Sequence, residues 1–263
     1  MTVPIALSGD IPIFYEQMGD GEPVVLVHGT TGSHLGWVFA AMQLAERFQV
    51  TTYDRRGRGQ SGDASDYSLQ NDADDLLAVI RGLSTPAHLV GHSYGARVVL
   101  QLAASGSASS EIASLTLYEP PLHVDAVPPG TWEAVDEATR RQDWERVLEL
   151  FYPVAALTSE EISGMRSVPE VWSANLDGAR TVAREAVALR TPVELKGLRA
   201  AAAIPALVLV GGETDSPVYL DGLPEIVAAL SATTASIEGE RHLAPFTAPD
   251  AFATAVVEFI GGR

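Results

Sequence analysis

The chain of 263 residues contains no cysteine and one lysine, Lys196, among seventeen basic residues. Without a thiol there can be no disulfide staple, thiolate metal site or cysteine nucleophile. Basic charge is scarce as well. Seventeen Lys and Arg face thirty-four Asp and Glu, a formal charge of −17 that repels phosphate backbones and anionic lipid surfaces. Nucleic acid is therefore not an expected partner, and the charge reads first as solubility. Long apolar runs are missing: nowhere do about 18 apolar residues follow one another. Met1 to Gln17 also lacks the basic flank and apolar stretch of a secretory signal. The expectation is a cytoplasmic chain with no membrane partner, and the single lysine beside abundant alanine suggests a GC-rich bacterial genome.

What is present fits a folded enzyme-sized domain. The 46% hydrophobic and 19% charged composition is ordinary for a globular protein, and the length is enough for one α/β core with an insertion. Short apolar runs rich in β-branched residues stand at Val24 to Val27, Val50 to Tyr53, His88 to Val90, Ser114 to Tyr118, Ala206 to Val210 and Thr234 to Ile237. Such runs suit strands covered on both faces. Between them, Leu35 to Phe48, Leu69 to Leu83, Ser93 to Ala104 and Ala251 to Ile260 carry helical apolar spacing. Strands alternating with helices predict a mostly parallel twisted sheet flanked by helices. At the start, Val3 to Met18 alternates around Ser8-Gly9-Asp10 and predicts an antiparallel hairpin at one edge.

Strand signals stop from about Pro120 to Ala203. Trp144, Val147, Leu148 and Phe151 repeat at i, i+3, i+4, i+7, Thr158 and Glu161 have capping-box spacing, and Leu176 to Leu189 reads as helix until Thr191-Pro192. The expected division is a core over 1–120 and 204–263 with a helical insertion over 121–203. Three of the four tryptophans, Trp132, Trp144 and Trp172, lie in that insertion. They either pack a small core or line a substrate pocket.

The chemistry is carried by Gly91-His92-Ser93-Tyr94-Gly95, which falls between the strand ending at Val90 and a helical run. Gly-x-Ser-x-Gly in a strand–turn–helix context holds the serine in a sharp strained turn above the sheet edge. A serine hydroxyl needs a base and a group that orients the base. His28, His34, His88 and His92 precede or adjoin Ser93 and His123 opens the insertion, so His242, after the last strand, is the candidate base. Asp215, in the loop Gly211 to Pro217 at the carboxyl end of another strand, is the first candidate for the orienting acid. Glu213 in the same loop and Glu119, after the strand ending at Tyr118, compete with it.

Gly91 to Gly95, His28-Gly29, Asp54 to Gly62, Asp215 and His242, in the chain order Ser, Asp, His, together resemble the α/β-hydrolase family over nearly the whole chain. The resemblance implies an oxyanion hole made by the backbone N–H groups of Thr30 and Tyr94, with His28 supporting the Thr30 loop and the Arg55 to Gly62 turn structural. It also implies that the insertion is a helical cap over the carboxyl ends of the strands. The expected activity is hydrolysis of a small to medium hydrophobic carboxylic ester, lactone or thioester through an acyl-enzyme, with no cofactor and no metal. Serine at the elbow sets the chain apart from haloalkane dehalogenases and epoxide hydrolases, which hold aspartate there. Carbon–carbon bond hydrolysis, perhydrolysis, a non-hydrolytic cyclase and a non-catalytic binding protein remain alternatives.

Overall fold

The computed structural model describes residues 4–83, 86–122 and 126–262. Eight strands form one sheet in the order β1-β2-β4-β3-β5-β6-β7-β8. The hairpin of β1 (Ile5–Ser8) and β2 (Ile11–Met18) is antiparallel and joins the sheet by pairing β2 with β4 (Phe48–Tyr53). Every other pairing is parallel: β3 (Glu22–Val27) lies between β4 and β5 (Ala87–His92), and β6 (Ile112–Tyr118), β7 (Ala206–Gly211) and β8 (Thr233–Ile237) follow in turn. The continuous apolar runs become the strands buried on both faces, as a parallel sheet requires. The exception is β8, whose first four residues are exposed because it closes the sheet edge.

Two apolar layers cover the sheet. On one face α2 (Leu69–Arg81) and α3 (Tyr94–Ser105) pack with Val25, Val27, Leu89 and Leu115. On the other, α1 (Val38–Leu44) and the C-terminal α13 (Pro249–Gly261) enclose Val24, Leu26, Val90 and Leu209 around Trp37 and Phe252. The helix expected over Leu35 to Phe48 is shorter than its apolar spacing suggests. It begins as a 3-10 turn at His34–Trp37, and Phe48 already belongs to β4.

Between β6 and β7 the chain forms α4 (Thr131–Arg140), α5 (Trp144–Val154), α6 (Ser159–Arg166), α7 (Pro169–Gly178), α8 (Val182–Leu189) and α9 (Leu195–Ala200). The Thr158–Glu161 capping box closes α6 with both reciprocal bonds, 3.1 and 2.6 Å. A separate cluster of Val135, Val147, Leu148, Tyr152 and Val182 binds α4, α5 and α8 together. By contrast α9 packs on α3 and on α11 (Leu223–Leu230), so the last helix of this segment belongs to the sheet's outer layer. No helix among the described residues is long and apolar enough to cross a membrane.

Candidate active site

Ser93 sits at the end of β5 with φ 55° and ψ −123°, a conformation that only the surrounding structure can impose on a residue with a side chain. The flanking glycines are required by contact. A Cβ on Gly91 would stand 2.6 Å from the Cα of Ala96, and one on Gly95 would stand 2.6 Å from the carbonyl carbon of Val27. The bend from β5 into α3 thus brings backbone against backbone, and the serine is held on the convex side of the turn.

His242 lies in the loop after β8, with 4% of its surface exposed. Its Nδ1 is 2.7 Å from Oε2 of Glu119, which leaves Nε2 as the ring nitrogen able to serve Ser93. Glu119 directly follows β6 in a left-handed conformation, φ 47°, and is fully buried. Its other oxygen accepts from the Gly211 backbone N–H at 2.8 Å and from the Thr214 hydroxyl at 2.5 Å. Burial works to raise the Glu119 pKa, but the His242 hydrogen bond and charge, with the Thr214 and Gly211 donors, outweigh it and hold the carboxyl below its ordinary value.

This arrangement corrects the expected orienting acid. Asp215 is at the surface, 79% exposed, and its Oδ1 accepts from the Arg241 guanidinium at 2.6 Å. The physical reason is that β6 and β7 are neighbours, so the loops at both carboxyl ends approach His242. Only the one leaving β6 turns its carboxylate inward. Glu213 contributes its backbone carbonyl to Arg241, 2.7 Å away.

The loop after β3 presses on the serine: a Cβ on Gly29 would come within 3.0 Å of the Ser93 Cβ. His28 supports that loop in one tautomer, with Nδ1–H donating to the Gly29 carbonyl at 2.9 Å and Nε2 accepting the Arg55 backbone N–H at 3.1 Å. Burial and the Arg55 charge depress its pKa to about 3, so it stays neutral. Thr31 takes φ 62° to close the turn. Thr30 follows Gly29 in this loop and Tyr94 opens α3, and their side chains are engaged as well. The Thr30 side chain helps to hold the Glu185 carboxyl low, and the Tyr94 phenol donates to Asp72 at 3.1 Å while Arg55 lies 4.4 Å over its ring.

Arg55 is the centre of this second cluster. Its guanidinium reaches the carbonyls of His28 and Gly29 at 3.1 and 3.3 Å, Asp72 at 3.2 Å and Glu185 at 2.7 Å. Arg58 approaches the same Glu185 oxygen at 2.5 Å, and Arg56 is paired with Asp75 through two bonds of 2.7 Å. The arginine turn is thus structural. The carboxylate it needs from the insertion, Glu185, was missed in the sequence, although Val182, Glu185, Ala186 and Leu189 are i, i+3, i+4, i+7 and place it on the buried face of α8.

His92 is packed, as expected, among Trp37, Tyr118 and Phe246, and its Nε2–H donates to the backbone carbonyl of His242 at 2.9 Å. The three tryptophans proposed for a pocket lie elsewhere. Trp132, Trp144 and Trp172 pack on the insertion's own apolar cluster, and Trp172 is further held by Glu145 at 3.0 Å and by Arg166 4.5 Å over its ring. A cavity of about 300 Å³ lies instead between α4, α5 and the short α10 (Pro217–Leu220), lined by Leu150, Pro153, Val154, Pro217 and Val218. No group of three or more His, Cys, Asp or Glu able to hold a metal occurs among the described residues. His123 and Asp125 lie outside them.

A mostly parallel sheet with a serine elbow after β5 and a histidine after β8 is the architecture of the α/β-hydrolase fold. Residues 24–255 match the model of the alpha/beta hydrolase family, and the chain belongs to it. A crystal structure of an alpha/beta hydrolase from Sphaerobacter thermophilus DSM 20745 superposes with a TM-score of 0.84 at 31% identity, covering 98% of this chain and 100% of that one. The pimeloyl-[acyl-carrier protein] methyl ester esterase of Methylococcus capsulatus is 42% identical over 106 residues, 40% of this chain and 39% of that protein. EphD of Mycobacterium bovis, described as a probable oxidoreductase, is 39% identical over 116 residues. That match covers 42% of this chain and a fifth (20%) of EphD's own length.

Proposed function

We propose that the protein cleaves a small to medium hydrophobic carboxylic ester, lactone or thioester through an acyl-enzyme on Ser93. The observation that carries this reading is the 2.7 Å contact between Glu119 and Nδ1 of His242, behind a serine held at φ 55°. In this reaction Ser93 Oγ attacks the carbonyl carbon as His242 Nε2 takes its proton. Glu119 fixes the tautomer and offsets the imidazolium charge. The carbonyl oxygen, now anionic, is met by the backbone N–H groups of Thr30 and Tyr94. His242 then hands the proton to the departing oxygen or sulfur, and water, activated by the same nitrogen, releases the acid.

Nucleophile, base and acid are all supplied by the chain, so the chemistry calls for no metal or cofactor. The helical insertion acts as a cap, and the apolar cavity beside α10 suits the hydrophobic part of the substrate. An esterase among the relatives is consistent with this choice of bond. Intact mass after exposure to a fluorophosphonate tests the reading. A single adduct in the wild type, absent from Ser93→Ala and His242→Ala, is expected. A folded wild-type protein that gains no adduct overturns it.

A further inference from the structure

Tyr219, on α10, is 2% exposed, and its ring lies flat on the imidazole of His242, with centroids 4.1 Å apart and planes at 13°. That stack holds its hydroxyl at the site, where the Ser93 side chain is the hydrogen-bonding group that acts on it. The position is firmly set: the Tyr219 N–H donates to the Ser216 carbonyl at 3.1 Å, and the preceding Val218 carbonyl accepts from Leu122 at 3.0 Å, tying α10 to the exit of β6. A phenol is thus delivered to the nucleophile from the loop following β7. Burial and the nearby Glu119 charge hold its pKa well above the ordinary tyrosine value, so it remains a neutral donor throughout the working pH range.

A buried hydroxyl needs a partner, and this one's partner is consumed by the reaction. When Ser93 Oγ bonds to the acyl carbon it loses its proton and becomes a weak acceptor. The oxygen that gains charge next to it is the one about to leave. We propose that Tyr219 is a catalytic residue that donates a hydrogen bond to this leaving-group oxygen, and that the site is therefore built for esters or lactones of unactivated alcohols. The inference rests on the acyl-enzyme reading above. In the step, the bond from the acyl carbon to the leaving oxygen breaks, His242 supplies the proton that the alcohol keeps, and the phenol retains its own. An alkoxide needs such help most, whereas 4-nitrophenolate leaves unaided.

The test is Tyr219→Phe, which keeps the stacked ring and removes only the oxygen. The kcat/KM of wild type and variant is measured on butyrate esters of 4-nitrophenol, phenol, trifluoroethanol and ethanol, with fluorophosphonate labelling of both proteins in parallel. The variant is expected to lose about tenfold or more on the ethyl ester, the worth of one hydrogen bond in the transition state, and less than about twofold on the 4-nitrophenyl ester. An equal loss on every ester, or none, in a variant that still labels at Ser93 overturns the role of Tyr219 and leaves the acyl-enzyme intact. A wild type that neither labels nor hydrolyses any ester removes both.

Discussion

Glu119 and His242 meet at 2.7 Å although 123 positions separate them, and the contact exists because β6 and β7 lie side by side with their carboxyl ends under the β8 loop. Glu119→Gln keeps the shape but lets the side chain donate where it must accept, favouring the wrong imidazole tautomer. The loss in kcat is expected to be about 10³ to 10⁴. Asp215→Asn breaks only a surface pair with Arg241, worth about 0–1 kcal/mol at most, and is expected to leave kcat within about twofold. Steady-state rates of the two variants on one ester decide between the two acids. A reversed order would return the role to Asp215.

The sequence was legible wherever a local pattern had a local cause. The Gly91 and Gly95 spacing follows from backbone contact at one turn, the capping box from two residues three positions apart, and the strand runs from burial on both faces. The acid was not legible in that way. Asp215 and Glu119 each follow a strand at the same edge, and which carboxylate turns inward depends on the left-handed backbone at Glu119 and on donors from Gly211 and Thr214, ninety or more positions away. Trp132, Trp144 and Trp172 were ambiguous because helical spacing gives a buried face without saying whether a ligand or another helix covers it. Tyr219 carries no motif at all. Its role comes from where a four-residue helix is set down.

The cluster around Arg55 links the insertion to the loop that carries Thr30. Glu185 is 1% exposed and faces Arg55 and Arg58. Glu185→Ala leaves two buried guanidinium groups short of their carboxylate, and about 3–5 kcal/mol of stability is expected to be lost. Urea denaturation measures that loss. Glu185→Gln retains the volume and some hydrogen bonding and is expected to fall between. With the Thr30 loop loosened, kcat should drop more than KM rises. An unchanged denaturation midpoint in both variants would show that the cluster is balanced without Glu185.

Acid sensitivity follows from His28. Its folded pKa of about 3 lies below the ordinary 6.5, so the unfolded chain binds a proton that the folded one refuses. The stability associated with neutral His28 is complete above pH 6.5 and declines as pH falls from there towards 3, by about 1.4 kcal/mol per pH unit. His92, also depressed by burial and by the neighbouring His242, adds in the same direction. His34, raised by its Asp54 hydrogen bond and charge against burial, works in the opposite sense. Glu185, held at about 2 against its burial by Arg55 and Arg58, extends the decline below pH 4.5. Urea midpoints from pH 7 to 5 are expected to fall in the wild type and to fall less steeply in His28→Gln. Equal slopes would remove His28 from the account.

His92 occupies the variable position of the elbow, yet its Nε2–H holds the His242 carbonyl at 2.9 Å and its ring lies 4.7 Å from the His242 ring. The residue before the nucleophile therefore helps to fix the base from behind, while Glu119 fixes it through Nδ1 and Tyr219 through its face. His92→Phe keeps most of the packing against Trp37, Tyr118 and Phe246 but leaves a buried carbonyl without its donor, at a cost of about 1–3 kcal/mol. If that carbonyl anchors the loop, kcat should fall about tenfold with KM nearly constant, because the base is misplaced in the transition state while the cavity beside α10 is untouched. His92→Gln, which can still donate an N–H, is expected to recover part of the rate. A loss of stability in His92→Phe with full kcat would show instead that His242 is held by Glu119 and Tyr219 alone, and that His92 serves only the core.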